Sequence, residues 1–430
     1  MVEIETKVQR YERYIDSGVE WLGEVPKHWD LTRLGTRFKE RKTKVSDKDF
    51  PPLSVTKNGT VPQLANAAKS NDGDNRKLVK KGDFAINSRS DRKGSSGIAY
   101  QDGSVSLIYI VMEPLNIQPI YCNYLLKSYN FIEEFYRMGH GIVADLWTTR
   151  YDEMKVIMVG IPPLSEQTAI AQFLDDKTTK IDEAITIKQQ QISLLKERKQ
   201  ILIHKAVTRG LDKNVKLKDS GVQWIGKIPE HWELSRLKNH MNMITGFPFK
   251  SEKYTEEGIK LARGINVKEG VLNWKDTRCW PKVEEHLVSY LLADGDVLIA
   301  MDGSKVGKNF CQIKESDLPI LLLQRVARLR PKKLLTSNFL YNHIVNRNFL
   351  QWVEMTKTDP MVPHIAPADI KNFQITIPPL SEQKEVSAYI ESASQKIETA
   401  ISLKQQEIAK LKEYKSSLIN GVVTGKVKVC

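Results

Sequence analysis

The chain has 430 residues, 41% of them hydrophobic and 27% charged, which leaves room for two to four cores and excludes a disordered or fibrous protein. Lys and Arg outnumber Asp and Glu by 65 to 52, a net charge of +13, so a polyanion is the first partner to consider. Cys122, Cys279, Cys311 and Cys430 show no CxxC spacing and no neighbouring His pair, which argues against a disulfide framework or a zinc site. The N-terminus has no apolar signal core and the longest apolar run, at 319–323, is too short to cross a bilayer. The expectation is a cytoplasmic protein with reduced thiols and no membrane partner.

In chain order, the first distinctive stretch is DSGVEWLGEVPKHWDLTRL at 16–34, which returns as DSGVQWIGKIPEHWELSRL at 219–237. Asp16, Ser17 and Gly18 read as a turn, and Gly23 and Pro26 break any helix. The recurring pairs Trp21 and Trp224, His28 and His231, and Trp29 and Trp232 are expected to pack each segment against its own block.

The block that follows, about 30–160, is expected to be α+β. Its apolar runs at 78–87 and 105–112 read as strands and 123–138 as a helix, with the polar, basic loop SRSDRKGSSG at 88–97 between them. Next comes IPPLSEQ at the head of a long helix, at 161–211. Pro162 and Pro163 suit the approach to a helix, Ser165 is the expected N-cap, and Glu166 falls in the first turn, where the helix dipole favours negative charge. Leu174, Ile181, Lys188, Leu195 and Leu202 recur every seventh residue, the mark of a coiled-coil seam in which the lysine fixes register at some cost.

The second block, about 234–376, repeats the parts of the first: an apolar run at 291–301, the loop DGSKVGKN at 302–309, a strand at 321–330 and a helix at 338–353. Gly82 and Asp83 recur as Gly295 and Asp296, a turn into a strand. Residues 377–427 then repeat 161–211 without a gap, with Ser381 as expected N-cap and Ile390, Ile397, Lys404, Leu411 and Leu418 on the same seam. Two such seams should pair with each other. About 44 helical residues span about 65 Å, a spacer longer than most domains are wide. The expected segments are 1–160 and 212–376 as recognition domains, with 161–211 and 377–430 as spacer helices.

No catalytic constellation emerges. GSKVGKN at 303–309 has the wrong glycine spacing for a phosphate-binding loop and Asn309 where Ser or Thr should stand. The histidines lack metal-ligand spacing, and Asp359 before Pro360 reads as a turn. What remains is a set of basic and amide-bearing loops: Lys57, Asn58, Arg89, Arg92 and Lys93 in the first block, and Lys250, Arg263, Asn266, Ser304, Lys305 and Lys308 in the second. Arg and Lys can read guanine, Asn adenine, and hydroxyls and further cations hold phosphate. Gln167, Gln189 and Gln190 are retained as Gln383, Gln405 and Gln406, although a self-pairing seam needs only its apolar positions. The expectation is that they dock a partner.

Together the doubled IPPLSEQ helix, the DSGV-x-W-x-G-x-x-P-x-HW segments and the Gly-Asp turns closely resemble the specificity subunit of type I restriction-modification systems, over nearly the whole chain. The resemblance implies two target-recognition domains separated by an antiparallel coiled coil. It also implies a non-catalytic subunit that reads double-stranded DNA and binds two adenine-methyltransferase subunits and restriction (motor and nuclease) subunits. Those partners would use S-adenosylmethionine, ATP and magnesium; no cofactor is expected for this chain itself. A tandem repeat with antiparallel helices has a pseudo-twofold axis, so unlike blocks should read an asymmetric, bipartite target whose unread gap the helices set. The alternative is a non-catalytic coiled-coil adaptor with an incidental basic surface.

Overall fold

A computed structural model describes residues 9–65, 73–141, 147–358, 361 and 363–429; Asp359, Pro360 and Cys430 lie outside them. The chain forms two compact units, Met1–Lys188 with Gln405–Cys430, and Gln189–Lys404. The long helices Leu164–Arg209 and Leu380–Val423 therefore each contribute one half to each unit.

In the first unit, strands Phe38–Glu40, Tyr109–Pro114, Phe84–Asn87 and Ser96–Ile98 make an antiparallel sheet in that spatial order. One face presents Phe38, Phe84, Ile86, Ile98, Ile110 and Met112 to helices Pro119–Lys127 and Tyr129–Arg137. On the opposite face Ala85, Tyr109 and Val111 join Leu53, Val55, Val79 and Val105 in a second core. Strands covered on both sides carry unbroken apolar runs rather than alternation, which is why they stand out in the sequence.

The second unit repeats the plan with Met241–Thr245, Val326–Pro331, Val297–Ala300 and Phe310–Gln312. Helices Ser337–Ile344 and Arg347–Thr356 cover one face, and Ala262, Val267, Ile320 and Leu322 the other. The fold is thus α+β and duplicated. Cys122, Cys279 and Cys311 are buried free thiols, and burial pushes Cys311 up to about 12. No described helix is long and apolar enough to cross a membrane.

Several expected elements divide further. The single helices read at 123–138 and 338–353 are each two, broken at Ser128 and at Val345–Asn346. Ser128 and Asn346 are extended, and their side chains cap the following helix by accepting from Phe131 N and Asn348 N. Such residues compete for backbone donors and restart a helix. The run at 78–87 likewise becomes Arg76–Val79 and Phe84–Asn87, joined through the Gly-Asp turn. Asp83 is buried there, accepting from Lys80 N and from both Arg41 Nε and Nη2. In the second unit Asp296 does the same with Ala293 N and with Arg330 Nε and Nη2. These hydrogen bonds raise both guanidinium pKa values.

The long helices begin at Leu164 and Leu380, so Ser165 and Ser381 lie inside the first turn rather than at the N-cap. Pro163 and Pro379 occupy the boundary, their carbonyls accepting from Gln167 N and Gln383 N. Along the seams Leu174, Ile181, Ile390 and Ile397 are buried and Leu195, Leu202, Leu411 and Leu418 half-buried. The paired helices run antiparallel: Asp182 bonds Lys415 (2.6 Å) and Lys188 bonds Glu407 in the first unit, and Lys199 bonds Glu398 (2.6 Å) in the second. The seam lysine Lys188 thus reaches a carboxylate on the facing helix.

Candidate nucleic-acid interface

Two motifs that look separate in the sequence form one anchor. Glu166 accepts from Trp29 Nε1 (3.0 Å), His28 Nε2 (2.8 Å) and the Tyr11 hydroxyl. Glu382 accepts from Trp232 Nε1 (2.9 Å) and His231 Nε2 (2.7 Å). The same tryptophans meet the end of the other long helix. Gly425 follows the second helix at φ +76°, where a Cβ would lie 2.3 Å from Pro26 Cδ and 3.2 Å from Trp29. Gly210 follows the first at φ +71°, where a Cβ would lie 3.1 Å from Trp232. Only glycine takes this left-handed closure at such range without strain. Each His-Trp segment thus ties the start of one long helix to the end of the other within its own unit. The recurrence of Glu166 and Glu382 alongside the His-Trp pairs is the signal the sequence offers for it.

The approaches to the long helices account for two of the six glutamines. Gln167 is buried, its Oε1 accepting from Gln118 N (2.8 Å) and its Nε2 donating to the Pro162 carbonyl (2.8 Å). Gln383 is equally buried, bonded to Thr336 N (2.8 Å) and to the Leu334 and Pro378 carbonyls (2.9 Å each). Their retention is explained by satisfying backbone groups at the helix approach, and the docking role expected for them is corrected accordingly. Gln189, Gln190, Gln405 and Gln406 are exposed on their helices.

The basic loops occupy equivalent places in the two units. In the first, Arg89, Arg92 and Lys93 lie in the connection between Phe84–Asn87 and Ser96–Ile98. That loop is pinned by pairing of Arg89 with Thr148 and by Thr149 N donating to the Ser88 carbonyl (2.9 Å). Arg89 and Arg92 are exposed. Lys93 instead pairs with Glu133 (2.6 Å), 5.8 Å from the Tyr136 ring centre. Lys57 and Asn58 are exposed at the turn of hairpin Leu53–Thr56/Gly59–Pro62. Thr60 Oγ1 of that hairpin donates to the Gly97 carbonyl (3.0 Å), bringing it to the strand that closes the basic loop.

In the second unit, Ser304, Lys305 and Lys308 are exposed in the connection between Val297–Ala300 and Phe310–Gln312. Val306 is buried in the helical core, and the loop is pinned by pairing of Asp302 with His364 and by Gly303 N donating to the Pro363 carbonyl (2.9 Å). Asp302 therefore stands where the first unit has Arg89. Equivalent scaffolds present opposite charges at that position.

Lys250 is exposed ahead of the turn Ser251–Lys253. Arg263 and Asn266 are not free. Arg263 pairs with Asp276 (3.1 Å) and bonds Asn266 Oδ1 (3.2 Å). Asn266 is 1% exposed and donates to the Asn273 (2.9 Å) and Asp276 (3.0 Å) carbonyls. Both brace their own loop, Arg263 half-buried and Asn266 enclosed; an amide so enclosed cannot reach a base edge, and the expectation that Asn266 reads a base is corrected. No cluster of potential metal ligands occurs among the described residues.

Residues 229–413 match a family model described as type I restriction modification DNA specificity domain. The chain is 29% identical over 279 residues to the type I restriction enzyme MjaVIII specificity subunit of Methanocaldococcus jannaschii, covering 64% of this chain and 63% of that protein. It is 34% identical over 182 residues to the EcoAI specificity subunit of Escherichia coli, covering 41% and 30%. These matches span less than two thirds of those two relatives. The putative MjaX specificity subunit of M. jannaschii is 23% identical over 433 residues, covering 95% and 96%. Among solved structures, a chain from work on complex assembly and conformational transition of the type I R-M system aligns with TM-score 0.71 at 16% identity, covering 93% of this chain and 98% of that one. The HsdS subunit from Thermoanaerobacter tengcongensis aligns with TM-score 0.53 at 18% identity, covering 94% and 98%. The likeness to both is one of fold.

Proposed function

We propose that this chain, whose residues 229–413 match the type I restriction modification DNA specificity domain, is the DNA-reading specificity subunit of a type I restriction-modification complex. Each unit reads one half-site of double-stranded DNA, and because the loops differ the target is asymmetric and bipartite. The chain docks two methyltransferase subunits and the restriction subunits, catalyses nothing alone and works in the cytoplasm, where the DNA is. The observation that carries this reading is the pair of pinned loops, 88–95 and 302–309: a common scaffold that exposes Arg89 and Arg92 in one copy and Ser304, Lys305 and Lys308 in the other, with a different charge pattern in each. Rigid scaffolds with varied loops are how recognition modules change specificity.

Phosphate contacts confer a steep dependence of affinity on salt, whereas an adaptor with an incidental basic surface has none. Titrating the full chain on mixed-sequence duplex DNA at several salt concentrations separates the two. Sequencing methylated sites in cells carrying the chain with its partner subunits then reads out the target. A palindromic or single-part methylated site would defeat the assignment of one half-site to each unit.

A further inference from the structure

We propose that Arg325, outside the basic loops, is a specificity-determining residue of the second unit that reads a guanine of its half-site. The inference rests on the DNA-reading assignment above. Arg325 is the third residue of a turn closed by Val326 N donating to the Leu323 carbonyl (3.3 Å), and its φ is +70°. That position ordinarily takes glycine or asparagine, because a larger side chain is strained there. The strain is held from three sides. Met301 N donates to the Arg325 carbonyl (2.9 Å), Gln324 N to the Phe247 carbonyl (3.0 Å), and Gly246 N to the Val326 carbonyl (3.0 Å). The backbone is thus over-determined while the side chain, 67% exposed, is not packed. Strain persisting where a glycine would relieve it points to a use for the side chain.

The surroundings supply an orientation. Arg325 Nη1 lies 3.3 Å from Asp302 Oδ2 as an ion pair, and Asp302 Oδ1 is bonded by His364 Nδ1. The carboxylate is therefore fixed at one oxygen and steers the guanidinium with the other, leaving further N–H donors of the fork free. A planar fork with two parallel donors matches guanine O6 and N7 in the major groove. Asp302 also begins the loop that carries Ser304, Lys305 and Lys308, so base reading and phosphate contact would come from adjoining segments. The corresponding turn of the first unit, closed by Tyr109 N to the Ser106 carbonyl, carries Leu107 and Ile108 instead.

The test compares wild type, Arg325→Gly and Arg325→Lys as full chains on duplexes carrying the methylated target and every single-pair variant of it. Arg325→Gly should keep or raise the thermal midpoint, because it relieves the turn. Its affinity for the target should fall about 5- to 150-fold, to the level of a duplex altered at one G·C pair of one half-site. The other half-site should be read as before. Arg325→Lys, which keeps the charge but not the planar fork, should lose part of the same discrimination with the salt slope unchanged. Weakening of Arg325→Gly that is uniform over all duplexes, with a salt slope lower by about one, would make Arg325 a phosphate contact and overturn the inference. Unchanged discrimination in both variants would overturn it as well. A wild-type chain that shows no preference for its own methylated sequence would instead sink the underlying functional reading.

Discussion

Glu166→Ala and Glu382→Ala remove the equivalent carboxylate from each anchor, and the two environments set different costs. Glu166 is 9% exposed at its side chain. Its removal strands the indole N–H of buried Trp29 and takes the carboxylate partner from the hydroxyl of buried Tyr11. At about 1 to 3 kcal/mol for the stranded indole donor and about 1 kcal/mol for the hydrogen bond lost by the hydroxyl, the first unit should lose about 2 to 4 kcal/mol. Glu382 is 35% exposed and holds one buried donor, Trp232 Nε1, beside the exposed His231. Water can reach that site, so about 1 to 2 kcal/mol is expected for the second unit. For units of this size the first change lowers the melting transition by on the order of 10 °C and the second by a few degrees. Urea and thermal denaturation of the full chain supply the magnitudes. Hydrogen exchange supplies the location: Glu166→Ala should deprotect 11–33 and the last turn of the second long helix, leaving 219–236 protected. A cost below about 1 kcal/mol for Glu166→Ala, or equal costs for the two changes, would show that the His-Trp segments are not held through these carboxylates.

Burial lowers His343 from 6.5 to about 3, so between those values the unfolded chain binds a proton that the folded one excludes. Stability is then full above pH 6.5 and falls as pH drops below it, by up to about 1.4 kcal/mol per pH unit; His343→Leu should flatten the urea-midpoint slope between about pH 7 and 5 by about one proton. Arg89→Ala with Arg92→Ala should relax one half-site in methylation sequencing while leaving the other intact, at about 1 to 3 kcal/mol for each bidentate pairing with a base that the change removes, and uniform weakening on all sequences would mark both as phosphate contacts. Gln189→Glu with Gln405→Glu should reduce co-purification of the methyltransferase without moving the melting transition, and undiminished recovery would count against docking there. Seven residues inserted after both Lys188 and Lys404 keep the seams in register and add about 10 Å of helix, so the unread gap should grow by about three base pairs. Methylated sites with the original gap would show that the helices do not set it.

The duplication, the doubled long helix, its apolar seam and the Gly-Asp turns are legible in the sequence because each is carried by local information. A sevenfold apolar period reports burial along one helix, and an unbroken apolar run reports a strand covered on both faces. Breaks at Ser128 and Asn346 are written there too, but a capping side chain inside an apolar pattern is decided by which backbone donors tertiary packing leaves open. Only the folded chain shows that Glu166 receives Trp29 while Gly425, from the far end of the chain, closes over the same indole. Hydrogen-bond partners distant in sequence leave no periodicity to read. For the same reason Gln167 and Gln383 resemble surface groups in the sequence when they are satisfied interior ones, and Asn266 resembles a reader when it braces its own loop. Arg325 is hidden most completely: its residue type is ordinary in a strand, and only the left-handed backbone imposed by Phe247, Met301 and Val326 makes it distinctive.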